Sequence, residues 1–126
     1  MRLAIIAAAL LLGSTQTHAQ AQTKAQAQDN KPLHRIARIV VDSAQLDAYR
    51  AALKTNMEAS LHLEPGGVLK LEATYEKDNP THFTVIEIYA SRAAYESHLQ
   101  TAHFKRYKAT VKDMVRSLQL TDVIPL

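Results

Sequence analysis

Hydrophobic and polar positions in the first half of the chain alternate with a period of two and then recur at helical spacing. From Leu33 to Val41, "LHRIARIVV" is rich in β-branched residues and partly alternating, which is typical of a half-buried strand. Asp42, followed three residues later by Gln45, forms a capping box. The apolar residues that then keep helical spacing are Leu46, Tyr49, Leu53, Met57 and Leu61. The sequence "EPGG" at 64–67 ends this helix, because proline and paired glycines do not continue it.

Two further strands follow, and they differ in how many of their faces are apolar. In "VLKLEATYE" (68–76) one face carries Leu69, Leu71, Ala73 and Tyr75. The residues between them are polar, so this strand is expected to be buried on one side. After the turn "KDNP", the strand "FTVIEIYA" (83–90) places Phe83, Val85 and Tyr89 on one face, and Ile86 and Ile88 on the other. The third strand is therefore apolar on both faces.

The last third of the chain predicts a helix and a short strand. Ser91 is a helix cap, and a helix is expected to run from there to about Leu118, with a break near Thr101 left open. The apolar residues that keep its period are Phe104, Tyr107, Val111, Met114, Val115 and Leu118. "LTDVIP" (120–125) supplies the last strand. The order strand, helix, strand, repeated twice, predicts an α+β fold of ferredoxin-like split βαβ type with a four-stranded antiparallel sheet.

Two helices of such a fold cover only one face of the sheet. A third strand that is apolar on both faces therefore predicts a cover for the second face. The simplest cover is a second copy of the same sheet, which predicts a symmetric homodimer.

The beginning of the chain has the pattern of an export signal. Arg2 precedes an apolar run of about ten residues, where a spanning helix needs roughly 20, and small residues follow at Ala19 and Ala21. We interpret 1–19 as a cleaved signal peptide, 20–31 as a flexible tether rich in glutamine and alanine, and 32–126 as the folded domain. The expected location is the periplasm or the medium, with no membrane attachment after cleavage.

Composition removes several classes of function. The chain has no cysteine, which excludes disulfides, thiolate nucleophiles and cysteine metal sites. The formal net charge is +3 and dispersed, which is too mild to indicate a nucleic-acid partner. No glycine-rich phosphate loop or nucleophile elbow is present.

Candidate chemistry is concentrated in one stretch, "EIYASRAAYESHLQTAHFKRY" (87–107). His98 is a candidate general base because histidine as a residue type titrates near neutral pH, but a helix histidine hydrogen-bonded to a carbonyl or carboxylate is the plainer interpretation. Glu87 lies on an apolar strand face, where a carboxylate needs a partner, so it either orients a histidine or meets a basic residue. Tyr75, Tyr89 and Tyr107 are either core aromatics or rings that stack on a flat ligand.

A metal site at the two histidines of this stretch is not expected. His98 and His103 are five positions apart, about 140° around an unbroken helix, so they would face different sides. The sequence thus predicts no bound metal and no other cofactor.

The same residues resemble a known family. "LEPGG", the 87–107 stretch and the split repeat resemble the antibiotic biosynthesis monooxygenase (ABM) domain, including its quinol monooxygenase branch, over about Leu33 to Leu126. The resemblance implies a dimeric α+β barrel and oxygenation of an electron-rich aromatic by molecular oxygen without flavin, haem or metal. Tyr89 stands where the family often has tryptophan, and Gly67 stands where it often has cysteine after a glycine. The axial histidine of haem-degrading relatives is missing from 105–108, so haem degradation is not expected.

The expected function is a cofactor-independent monooxygenase acting on a quinol or related phenol. In it, His98 and Glu87 are the candidate catalytic residues. The candidate substrate contacts are Tyr75, Tyr89, His103, Phe104 and Tyr107. Two alternatives remain on the same fold, namely a binder of a small hydrophobic compound and a structural dimer module. Catalysis requires a cavity with an ionisable group facing it, whereas binding requires only the cavity.

Overall fold

The computed structural model describes residues 30–126. The predicted signal peptide, and all but the last two residues of the predicted tether, lie outside this range. The strands are β1 (Leu33–Val41), β2 (Val68–Tyr75), β3 (His82–Tyr89) and β4 (Val115–Val123). The helices are α1 (Leu46–Leu63), preceded by a 3-10 turn at Ser43–Gln45, α2 (Arg92–Leu99) and α3 (Ala102–Val111). Within this part of the chain, no helix combines the length and the apolar character needed to cross a membrane.

The four strands form one antiparallel sheet in the order β2-β3-β1-β4. This order confirms the predicted split βαβ fold, because each half contributes one central and one edge strand. The register places Arg35 of β1 beside Glu87 of β3 on one side and beside Asp122 of β4 on the other. These three charged residues therefore share the inner face of the sheet.

The core lies between the inner sheet face and the helices. Tyr49 of α1 is fully buried, and its ring meets Phe83 of β3 edge to face at a centroid distance of 4.9 Å. The hydroxyl of Tyr49 lies 2.9 Å from the hydroxyl of Tyr107, so a hydrogen bond joins α1 to α3. Around these residues the core contains Ala37, Ile39, Val41, Leu53, Val85 and Val111.

The predicted helix boundaries agree with the structure at four places. The Asp42 side chain caps the 3-10 turn that leads into α1 by accepting a hydrogen bond from the backbone N–H of Ala44, whereas Gln45 makes no capping bond; Ser91 caps α2 by accepting from the backbone N–H of Ala94. α1 ends at Leu63, and Glu64 is its C-cap. Gly66 follows with a φ of 78°, a backbone conformation that favours glycine. The chain also breaks near Thr101, whose side chain caps a new helix by accepting from the backbone N–H of Phe104.

The predicted end of the last helix is wrong. α3 ends at Val111, and β4 has already begun at Val115, so Leu118 belongs to a strand. The spacing of Val111, Val115 and Leu118 fits a helix, but Leu118, Leu120 and Asp122 also fit a period of two. Pairing with β1 along its whole length decides between the two patterns, because it satisfies the backbone groups of both strands.

The outer face of the sheet carries apolar side chains, as the pattern of β3 predicts. Ile86 is 38% exposed there, and Ile36 of β1 is its partner in the register. Ile88 shares the same face. Coverage of this face by a second copy stays a prediction.

Candidate active site

A cavity of about 470 Å³ lies between the inner face of the sheet and helices α2 and α3. Its floor is formed by β1 and β4, with Ala37, Ile39, Leu118 and Leu120. Its walls are mostly aromatic and are formed by Tyr89, Tyr95, Phe104 and Tyr107. The volume falls within the range of small-molecule sites, and the walls suit a flat, apolar ligand.

Glu87 is the acidic group of this cavity. Its position on β3 directs it to the inner face, where the adjacent inward residues, Val85 and Tyr89, are buried. Burial raises the pKa of Glu87 to about 7, and the positive charge of Arg35 opposes that rise. At neutral pH both protonation states are therefore populated, which is the condition for a carboxylate that takes and returns a proton.

Arg35 supplies a fixed positive charge beside Glu87. Its side chain is almost fully buried, and its Nε donates to Asp122 Oδ1 at 2.7 Å. The guanidinium lies over the ring of Tyr95, 4.2 Å from the centroid. The hydrogen bond from Arg35 lowers the pKa of Asp122, so this second acid stays ionised and holds Arg35 in place.

Two tyrosines of the cavity, Tyr89 and Tyr107, keep their hydroxyl protons and do not act as bases. Burial raises the pKa of Tyr89 and of Tyr107 above the usual tyrosine range. The Tyr107 hydroxyl is also bonded to Tyr49. Both rings therefore serve as walls whose hydroxyls remain protonated at neutral pH.

Two exposed lysines, Lys108 and Lys112, complete the lining of the cavity from α3 and the segment after it. Together with Arg35 they outnumber the single acid Glu87. The site therefore has a positive electrostatic balance, which favours an anionic form of a bound ligand.

Four of the residues expected at the site line this cavity, namely Glu87, Tyr89, Phe104 and Tyr107. Tyr75 lies elsewhere, half exposed at the far end of β2, with the Arg50 guanidinium 4.1 Å from its ring centroid. It borders a separate groove with Leu53 and Met57.

His98 and His103 meet a third residue behind the cavity wall. His98 Nδ1 lies 2.8 Å from Glu64 Oε2, and His103 Nε2 lies 2.6 Å from the same oxygen. Neither histidine is among the lining residues of the cavity. The His98 ring packs against two rings that are, those of Tyr89 (5.4 Å between centroids) and Phe104 (4.8 Å).

The expectation that the two histidines face different sides is therefore wrong. That expectation assumed one continuous helix, whereas α2 ends at Leu99 and α3 begins at Ala102. The change of direction at Gln100 and Thr101 turns His103 back toward His98, so that both side chains reach Glu64.

Sequence reasoning missed Arg35, Tyr95 and Glu64. Arg35 did carry a signal, because it shares a strand face with the apolar residues Ala37 and Ile39. Glu64 carried no such signal. It precedes His98 by 34 residues, and it lies in the motif "EPGG", whose pattern predicts only the end of a helix.

Fold and cavity together define a class: two-layer α+β proteins in which a single antiparallel sheet and its helices enclose an aromatic-walled site with one titratable carboxylate. Residues 32–110 match the family model of the antibiotic biosynthesis monooxygenases. The chain belongs to this family.

Solved structures agree with this assignment. A candidate antibiotic biosynthesis monooxygenase from Bacteroides thetaiotaomicron is 49% identical, with a TM-score of 0.74, over 76% of this chain and 90% of that one. A candidate monooxygenase from Lactobacillus acidophilus is 31% identical, with a TM-score of 0.72, over 77% of this chain but 45% of that longer one. A third candidate of the family, from Nitrosomonas europaea, is 26% identical, with a TM-score of 0.70, over 77% of this chain and 92% of that one. Among proteins of curated function, none matches the chain.

Proposed function

We propose that the cavity around Glu87 binds an electron-rich phenol, in the first place a quinol, and that the protein oxygenates it with molecular oxygen. The observation that carries this proposal is a carboxylate with a pKa of about 7 inside an aromatic cavity, next to a buried arginine. Membership of the monooxygenase family and the likeness to candidate monooxygenases support it.

Glu87 is the proposed base. A phenol that stacks on Tyr89 or Phe104 presents its hydroxyl to Glu87, which takes the proton. The charge of Arg35 then stabilises the phenolate, because an anion in a desolvated site is favoured strongly by a fixed nearby cation. Formation of the anion raises the electron density of the ring.

The electron-rich anion is the proposed reductant of oxygen. A ring carbon of the quinol and O₂ form a carbon–oxygen bond, and loss of water leaves a hydroxyquinone. One oxygen atom enters the product and the other leaves as water, so one quinol and one O₂ give one hydroxyquinone and one H₂O. All electrons come from the substrate, and Glu87 returns its proton to the departing oxygen.

His98, the base expected from the sequence, takes a different role in this proposal. Its Nδ1 is engaged by Glu64, and its ring supports Tyr89 and Phe104 from behind. We propose that it positions these two rings. His98→Ala should therefore raise KM for an accepted quinol more than it lowers kcat, since loose walls weaken binding before they affect proton transfer.

Oxygen uptake with a panel of hydroquinones and polycyclic phenols tests the function. The expected result is uptake above the autoxidation background for at least one compound, with one ¹⁸O atom per product molecule under ¹⁸O₂. Saturable binding of the compounds without any oxygen uptake would identify the protein as a binder. The absence of both binding and uptake would leave the structural dimer module.

A further inference from the structure

Three side chains with metal-ligating atoms converge outside the reaction cavity. Glu64 follows the end of α1, His98 is in the last turn of α2, and His103 is in the first turn of α3. The ligand atoms of all three lie within 4.8 Å of one another. The geometry of one continuous helix had predicted that His98 and His103 would face different sides and would not share a metal ion.

The cluster converges on one point. Both histidine nitrogens approach the same carboxylate oxygen, Glu64 Oε2, and not opposite edges of the carboxylate. The side chains are 3%, 9% and 12% exposed for His98, His103 and Glu64. A single ion at that point would therefore be shielded from bulk water on most sides.

We propose that Glu64, His98 and His103 form a binding site for one divalent transition-metal ion, with Zn²⁺ as the preferred ion. Two imidazoles and one carboxylate form a recognised zinc ligand set, in which water takes the fourth position. A dication also balances the carboxylate charge, which two neutral histidines do not.

The geometry needs only a small adjustment to accept the ion. Zinc–ligand bonds of about 2.0–2.2 Å in a tetrahedron separate the ligand atoms by roughly 3.4 Å. The two nitrogens are now 2.8 and 2.6 Å from the oxygen, in hydrogen bonds that hold a proton where the metal would lie. A change of tautomer that moves each proton to the other ring nitrogen, together with a slight rotation of the Glu64 carboxyl, opens the required space.

The proposed ion has a structural role, and it is separate from the proposed reaction. It would fasten the junction of α2 and α3 to the end of α1, which are now joined here by the two hydrogen bonds to Glu64. The rings of Tyr89 and Phe104 stand between His98 and the cavity. Binding of the metal can thus be measured without any substrate.

Calorimetric titration of tag-free, chelator-treated protein with ZnCl₂ tests the site. We expect one Zn²⁺ per chain, and the bands of tetrahedral Co²⁺ with nitrogen and oxygen ligands when cobalt replaces zinc. The melting temperature should rise by roughly 10 °C at a zinc concentration about 100 times Kd, because the ion binds the folded state.

Matched variants locate the site. Glu64→Gln and His103→Gln should each weaken zinc binding at least about 100-fold, since each removes a direct ligand. His62→Gln, at an exposed histidine in the last turn of α1, should bind like the wild type. The circular dichroism of each variant is compared first, and His103→Gln carries the test if Glu64→Gln does not fold.

Two results would overturn the proposal. One is a wild-type protein that binds no zinc and shows no thermal shift at millimolar ZnCl₂. The other is binding that His103→Gln and Glu64→Gln retain unchanged, which would place the ion on surface histidines. Neither result bears on the oxygenation chemistry.

Discussion

Arg35 lies between two carboxylates, because its neighbours in the sheet register are Glu87 and Asp122. Its Nε binds Asp122, which lowers the pKa of that acid, whereas burial raises the pKa of Glu87 to about 7. Two acids on one sheet face thus have different protonation states at neutral pH. Asp122 is therefore the permanently charged group that fixes the geometry, and Glu87 is the group that exchanges protons.

The pH dependence of stability should reveal the raised pKa of Glu87. Its folded-state pKa of about 7 exceeds the ordinary 4.5, so the folded state holds this proton more tightly than the unfolded state. The contribution of Glu87 to the free energy of unfolding is therefore greatest below pH 4.5, falls as the pH rises to about 7, and is constant at higher pH. The change should be about 1–3 kcal/mol, somewhat less than the full difference between 7 and 4.5 at 1.36 kcal/mol per unit, because solvent at the open side of the cavity screens the charge.

Urea unfolding at pH 5 and pH 8 measures this effect. Glu87→Gln lacks the titrating group, so its free energy of unfolding should fall less between the two pH values than that of the wild type. Equal pH dependence in the two proteins would mean that Glu87 is solvated and has an ordinary pKa.

The pH dependence of turnover follows from the same group. If Glu87 takes the substrate proton, kcat/KM for a neutral quinol should rise with pH and level off above about 7, because the carboxylate must be ionised to act as a base. A rate profile that is flat from pH 5 to pH 8 would exclude Glu87 as the base.

At the level of single residues, sequence reasoning located part of the site. Glu87, Tyr89, Phe104 and Tyr107 were predicted because a strand end and a following helix bring them close in sequence. Arg35 comes from a distant strand, so only the sheet register places it beside Glu87. Contacts between segments far apart in the chain are the ones that local patterns do not specify.

The break between α2 and α3 is the element that shapes this end of the molecule. The Thr101 hydroxyl donates to the carbonyl oxygen of His98 at 2.7 Å and accepts from the backbone N–H of Phe104 at 3.3 Å. One side chain thus ends the first helix and begins the second. The sequence indicated a break here, but the direction of the new helix axis depends on tertiary packing.

Removal of this cap should destabilise the protein. Thr101→Ala loses both hydrogen bonds and should lower the free energy of unfolding by about 1–2 kcal/mol, as loss of a helix cap does. Thr110→Ala is the matched control, because Thr110 is exposed and only donates back to Arg106 within α3. An equal effect of the two substitutions in denaturant unfolding would show that the break does not depend on Thr101.

For the helices and strands, the type of element was predicted more accurately than its first and last residues. Four strands and their order along the chain were confirmed, because alternation and turn residues mark them clearly. The last helix was extended into β4, since residues 111–118 satisfy both a helical and a strand period. A segment that fits two periods takes the one that its neighbours support, and here β1 supports the strand.

At the scale of the whole molecule, the outer face of the sheet is the predicted site of assembly. Its apolar residues predict a homodimer, and light scattering should give twice the chain mass. Ile86→Glu places a charge on that face and should yield a monomer. Leu61→Glu, at an equally exposed apolar position on α1, should remain a dimer. A wild-type monomer at micromolar concentration would contradict the prediction.

Export is the second prediction at this scale. The pattern of 1–21 predicts cleavage after Ala19 or Ala21 and release of the remaining chain in soluble form. Intact-mass measurement of the secreted or periplasmic protein decides the position. Recovery of the uncleaved chain from the membrane fraction would show that the apolar run is an anchor.

The most direct measurement of the central claim is the rate of oxygen uptake by Glu87→Gln with an accepted quinol. Loss of a positioned base should lower this rate by about 10²- to 10⁴-fold relative to the wild type. Glu58→Gln, at an exposed glutamate on α1, should keep the wild-type rate. A Glu87→Gln protein that consumes oxygen as fast as the wild type would contradict the assignment of the cavity as the reaction site with Glu87 as its base.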